Sequence, residues 1–215
     1  MQGTVPDHTT RLRDPRLARF LFDDTRASWI WLIVRLYLGW QWLHAGYEKL
    51  TSSAWMDGGA ALKGYWTNAT KVPETGKPAI VYDWYRSVLT YMLDHSWYTW
   101  FAKLVAIGET AVGIALIIGF FTGIAAAFGL LMNTSYMLAG TASTNPVLGA
   151  LAILLILAWK VAGWLGLDHW ILPALGTPWQ PGTLVRHEPE RVTPEPEQIT
   201  PTPEEPRRRG GEPTA

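Results

Sequence analysis

The chain has 215 residues, enough for one domain, and its 18 basic and 18 acidic side chains balance, so nothing points to nucleic acid and no such partner is expected. It contains no cysteine, which excludes disulfides, thiolate-ligated clusters and any thiol or persulfide relay carried by this chain. Thirteen tryptophans are many for this length. Trp29, Trp31, Trp97, Trp100, Trp164 and Trp170 stand where apolar runs meet polar sequence, the aromatic-belt pattern of a bilayer protein.

Residues 1–27 hold Arg11, Arg13, Arg16, Arg19 and Arg26 and no apolar run of span length. RLARFLF at 16–22 predicts a short amphipathic helix on the membrane surface. No cleavable signal is evident, so the first span is expected to act as an uncleaved anchor. Arginines beside that span place the N-terminus in the cytoplasm by the positive-inside rule.

Residues 28–49, SWIWLIVRLYLGWQWLHAGYEK, are long enough to cross a bilayer, which takes about 20 helical residues. At about 100° per residue, Ser28, Arg35, Gly39, Trp42, Gly46 and Lys49 form one stripe. Tyr37, Gln41, His44 and Glu48 form a second on nearly the opposite side. Unpaired polar groups in hydrocarbon cost several kcal/mol. The helix is therefore expected inside a bundle, with another helix against its glycines and a polar cavity on the His44 side.

Residues 51–96 form a polar, aromatic connection broken by Gly58, Gly59, Gly64 and Gly76. Within it KPAIVYDWYRSVLTYMLDHS predicts an amphipathic helix capping the outer face, with Val81, Trp84, Val88 and Met92 or Tyr91 at helical spacing. The second span, 97–121, puts Ala102, Ala106, Glu109 and Gly113 on one packing face. After a short turn at Thr122-Gly123 the third, 124–141, aligns Ala126, Gly129, Asn133, Tyr136 and Gly140. The fourth, 147–167, is mostly apolar, with Lys160 near enough to its inner end to snorkel. Asp168-His169-Trp170 follows at the interface. The tail, 173–215, holds nine prolines from Gly176 onward, many glutamates and Arg207-Arg208-Arg209, a composition that predicts a disordered cytoplasmic segment. The fold expected is an all-α membrane protein: a four-helix transmembrane bundle over 28–172 with an outer amphipathic capping helix and a disordered C-terminal tail.

Two constellations stand out. Arg35 and Glu109 are the deepest opposite charges, and read either as an ion pair fixing helix registry or as a headgroup or anion site. His44 and Glu48 lie one turn apart with Gln41 below, and Asp94 and His95 arrive at that level from the capping helix, beside Trp84. Histidine as a residue type can exchange a proton under physiological conditions, so His44 is the expected proton acceptor, with Glu48 relaying outward. The alternative is an interfacial histidine bonded to its neighbours. A metal site needs three or four convergent ligands and only His44, Glu48 and His95 are candidates, and a haem would need a histidine outside the spans, so neither is expected. Asn133 and Tyr136 read as interhelical hydrogen bonders or as pocket contacts. Trp40 and Trp42 lie mid-span, where either can pack against a flat ring.

The first-span pattern R-x3-G-x4-H-x-G-x2-K (Arg35, Gly39, His44, Gly46, Lys49), the second-span G-E-x3-G (Gly108, Glu109, Gly113) and the following GFFTGIAAAFG with Asn133, Tyr136, Met137 and Gly140 resemble the DoxX/DoxD family of small four-span membrane proteins. The likeness covers about residues 28–172. It implies a multi-pass protein of a bacterial or archaeal cytoplasmic membrane, both termini inside, acting with membrane quinone. DoxD-type members are described as the large subunit of thiosulfate:quinone oxidoreductase, working with a small partner subunit. DoxX-type members are described as redox-associated, in one case within a larger membrane complex. The function expected is a quinone-interacting redox subunit with His44 and Glu48 as catalytic groups. Its pocket would include Arg35, Trp40, Gln41, Glu109, Asn133 and Tyr136. The alternatives are a non-catalytic anchor or assembly subunit and a small-solute carrier or channel.

Overall fold

The computed structural model describes residues 14–176. The predicted disordered tail from position 177 onward, like residues 1–13, lies outside the described residues. Those described are helical with no strand among them: α1 (Arg16–Asp23), a 3-10 turn (Thr25–Ala27), α2 (Ser28–Leu50), α3 (Ser53–Met56), α4 (Ala60–Thr70), α5 (Asp83–Asp94), α6 (Tyr98–Ile118), α7 (Thr122–Leu138), α8 (Asn145–Leu157), α9 (Trp159–Ala162) and α10 (Asp168–Ala174). Among them α6 is the one helix both long and apolar enough to cross a membrane by itself, with mean hydropathy 2.0.

α2 packs along α6, and α7 along α8. The first pairing is close because glycine faces backbone on both sides: a Cβ at Gly46 would run into Thr110, and one at Gly113 into Leu43. The stripe Ser28, Arg35, Gly39, Trp42 and Gly46 is accordingly buried. Around Trp31, Leu38, Trp42, Leu116, Ala126 and Leu155 the long helices share one core.

A second core lies beyond the Tyr98 end of α6, where α4 and α5 pair and Leu62, Trp66, Ile80, Leu89 and Met92 meet Ala102 and Ala139. The helix expected in this segment starts later, at Asp83, and a second helix, α4, joins it. Its phase also differs. Leu89 and Met92 turn inward, whereas Val81, Trp84, Val88 and Tyr91 are exposed. Both stripes recur at helical spacing, and packing against α4 selects the more compactly apolar one.

The expected fourth span is interrupted. α8 ends at Leu157, α9 runs for one turn, and the chain reverses before α10. Lys160 binds Asp23 of α1 at 2.9 Å instead of extending to solvent alone. The reversal is held by a buried polar knot. Asp168, fully buried, accepts hydrogen bonds from the backbone N–H of Phe121 (2.6 Å) and Thr122 (2.8 Å), capping the first turn of α7 where Phe121 takes the left-handed φ of 43°. Arg35, 1% exposed, donates to the carbonyls of Ala162 (3.2 Å) and Leu165 (2.8 Å). These carbonyls belong to the end of α9 and the reversal after it, where helical partners run out.

Candidate functional site

The α2–α6 contact that excludes side chains at Gly46 and Gly113 brings the last turn of α2 onto the middle of α6. Lys49 Nζ lies 2.7 Å from Glu109 Oε2 there. Glu109 is 1% exposed and Lys49 is one-fifth exposed. A carboxylate so buried needs a countercharge and further donors. The second donor comes from α7: Tyr136 Oη donates to Glu109 Oε1 at 2.6 Å. Three helices thus meet in one chain of groups, Tyr136 to Glu109 to Lys49. The Trp55 ring of α3 stands 5.1 Å from Lys49 Nζ, within cation–π range.

Tyr136 also forms the floor of a cavity of about 590 Å³ between α4, α5, α6 and α7, well within the size of small-molecule sites. Its walls are aromatic and thioether groups, among them Trp66, Phe101, Met92 and Met132. The polar lining is sparse. Tyr65 shares a hydrogen bond of 2.7 Å with Thr141, and Tyr85 donates to the Ser135 carbonyl at 2.9 Å. Burial pushes both phenols above the ordinary tyrosine range, so both are neutral at physiological pH. Leu104, Phe128 and Leu131 line the same cavity while remaining more than half exposed, so it opens sideways between α6 and α7.

The expected site residues do not form one site. Glu109 and Tyr136 come together, with Tyr136 lining the cavity and Glu109 buried behind it, and Trp42 packs on Tyr136 at 6.5 Å between ring centroids. Arg35 is remote from Glu109 as a partner: the Arg35–Glu109 pair expected from depth is replaced by Lys49–Glu109, and Arg35 serves the knot beyond the other end of α6. Asn133 is buried and donates to the Asn145 carbonyl, tying α7 to the start of α8. Trp40, Gln41, His44 and Glu48 do not line the cavity. They lie on the outward side of α2. Trp40 is 59% exposed, the His44 and Glu48 side chains are 56% and 67% exposed, and His44 Nε2 meets Glu48 Oε1 at 3.4 Å. The Trp40 ring stacks on His44. Of the expected cap residues, Trp84, Asp94 and His95 are all exposed, and His95 turns back on the Tyr91 carbonyl.

Lys49, Tyr65, Tyr85 and Met92 complete the arrangement without having been singled out as site residues. Lys49 carried a signal, because it shares the Arg35–Gly39–Gly46 stripe and so had to face α6. The tyrosines of α4 and α5 carried none, since nothing local says which face of a surface helix meets the bundle. No group of three or more metal-ligating side chains occurs among the described residues.

A family model described as DoxX matches residues 30–142. That interval runs from the first turn of α2 past the end of α7 and includes Lys49, Glu109, Tyr136 and every wall of the cavity. No curated protein and no solved structure matches the chain.

Proposed function

The chain belongs to the DoxX family of membrane proteins, and on that premise we propose that it is the quinone-interacting membrane subunit of a redox system. The observation that carries this reading is the aromatic cavity, open sideways between α6 and α7, with the Tyr136–Glu109–Lys49 chain at its floor. A lipid-soluble ring needs flat apolar walls, a lateral entrance and a hydrogen-bonding group for its oxygen. The quinone supplies two-electron, two-proton chemistry when bound. The Tyr136 O–H, which here donates to Glu109, would turn to the ring oxygen, and protons taken up by the reduced ring would be replaced from Lys49 through the Glu109 carboxylate. Lys49 stabilises the Glu109 carboxylate and, being partly exposed, connects it to water.

In this reading α2, α6, α7 and the α8–α9 pair are four spans of a bacterial or archaeal cytoplasmic membrane. The α3–α5 segment lies on the outer face and both termini lie in the cytoplasm, where the arginines of α1 belong. The electron donor is a small outer-face reductant of the thiosulfate type. Since the chain has no cysteine, sulfur chemistry belongs to a partner subunit.

Titration of the purified protein with a short-tailed benzoquinone, read by tryptophan quenching, tests the site. Tyr136→Phe and Glu109→Gln should each weaken binding by about tenfold, or about 1.4 kcal/mol. Wild-type affinity in both variants would overturn it.

A second reading, the anchor or assembly subunit, is favoured by the outward side of α2. His44 and Glu48 are exposed there beside Trp40, Tyr37 and Tyr47. A polar pair on the outward side of a spanning helix is better accommodated by a partner helix than by lipid. The two readings are compatible, because this face and the cavity use different sides of the molecule.

A further inference from the structure

The cavity does not end at its floor. A second space of about 300 Å³ runs on between α6 and α7, and the two share Gly108, Phe128 and Met132 as lining. Their chemistry differs. The first carries tyrosine hydroxyls, whereas every residue lining the second is glycine or apolar. On α6 the lower groove is floored by Gly108, Ala111 and Ala115, three small residues one turn apart, and on α7 it is walled by Ile124 and Phe128. Gly108 sits at the junction. A Cβ there would make ordinary contact with Met132 alone, at 3.6 Å, so its missing side chain leaves the passage open. From Gly108 to Ala115 the groove follows about 10 Å of helix.

We infer that the two spaces form one amphiphile site, with the ring in the upper cavity and the first isoprene units of a long polyprenyl tail in the Gly108–Ala111–Ala115 groove. This inference rests on the quinone reading above and narrows it to long-tailed lipid quinones. The junction is what selects the occupant. A separate acyl chain in the groove would have no reason to align with a cavity that carries tyrosine hydroxyls above it. A molecule polar at one end and apolar at the other fits the change in lining at Gly108. Hydrocarbon gains little by leaving lipid for protein, so the tail contributes through close packing against small residues, and filling the groove should penalise it sterically.

The test compares two ligands on the full chain in nanodiscs: a benzoquinone with a single isoprene unit, and the same ring with a full-length polyprenyl tail. In Ala111→Trp, affinity for the long-tailed ligand should fall by about tenfold while the short-tailed one binds as to wild type. Ala115→Leu obstructs the same groove with less bulk and should act in the same direction if Ala111→Trp does not accumulate. Ile107→Trp, on an exposed part of α6 outside both spaces, controls for added bulk and should change neither affinity. Equal loss for both ligands, or loss for neither, would overturn the tail assignment while leaving the ring site standing. So would a tightly held phospholipid in the purified protein that either tail length fails to displace. Failure of wild type to bind either ligand would instead remove the quinone reading itself.

Discussion

Lys49 at the end of α2 and Glu109 in the middle of α6 form an ion pair of 2.7 Å in which the carboxylate is almost fully buried. Their coupling is directly measurable. Lys49→Met should destabilise the protein by about 3 kcal/mol, because it leaves a buried charge with one donor. Adding Glu109→Gln should recover a substantial part of that loss. Arg35→Ala combined with Glu109→Gln should be additive to within about 0.5 kcal/mol, because Arg35 bonds to Ala162 and Leu165 instead. Thermal unfolding in detergent reads both cycles. Strong coupling of Arg35 with Glu109 would contradict the arrangement.

The knot at the other end should behave as pure structure. Asp168→Ala removes the acceptor of two backbone N–H groups and should cost about 2 kcal/mol. Gly166→Ala should also destabilise, since its Cβ would fall 2.6 Å from the Arg35 guanidinium. At equal amounts of folded protein, neither variant should alter quinone affinity. A selective affinity loss would bring this knot into the ligand site.

The α2–α6 register accounts for Lys49 rather than Arg35 being the partner of Glu109. Gly39 meets Ile117, Leu43 meets Gly113 and Gly46 meets Thr110, an antiparallel register that sets Glu109 opposite Tyr47 and Arg35 opposite Phe121. Depth counted from flush helix ends paired Arg35 with Glu109, but α2 starts well below the end of α6. Composition and the small-residue stripes made the helices and the buried side of α2 legible. Register was not, because it depends on the offset between two helices. The phase of α5 was illegible for a similar reason. Its apolar residues make two stripes, and only the unforeseen α4 chooses between them. The one-residue break at Ala158 has no glycine or proline to announce it, whereas the reversal over 163–167 holds Gly163 and Gly166. The polar stripe of α2 is real, but helical spacing cannot say whether a stripe lines a cavity or faces outward.

That stripe gives a prediction of its own. His44→Ala and Glu48→Ala should leave short-tailed quinone binding unchanged, because both side chains lie away from the cavity. If the outward side of α2 meets a partner subunit, the same variants should reduce recovery of the complex in mild detergent. Loss of quinone binding in His44→Ala would restore the α2 pocket instead.

Tyr65 and Tyr85 make the docking of α4 and α5 sensitive to alkali. Burial raises both phenols above their unfolded value of 10.0, so folding favours the protonated forms. Their contribution is full below pH 10 and is lost as pH rises through the folded values. Thermal stability should therefore fall above about pH 10. Tyr65→Phe, with nothing to ionise, should flatten that fall. An unchanged alkaline slope in Tyr65→Phe would show that its phenol titrates freely.

Orientation is open to a clean test because the chain has no native cysteine. Ser53→Cys, exposed after α2, should react with an impermeant thiol reagent on intact cells. Leu17→Cys, 69% exposed on α1, should react only after lysis. The opposite pattern would invert the topology.

Organic extraction of the wild-type protein, purified in mild detergent from its native membrane, tests the quinone site most directly. Near-stoichiometric lipid quinone is expected in the extract. It should be largely absent from Gly108→Phe, which adds a ring at the junction of the two spaces, where a Cβ meets the Met132 side chain alone. Folded wild-type protein that yields no quinone, or a Gly108→Phe protein that retains it fully, would contradict a quinone site between α6 and α7.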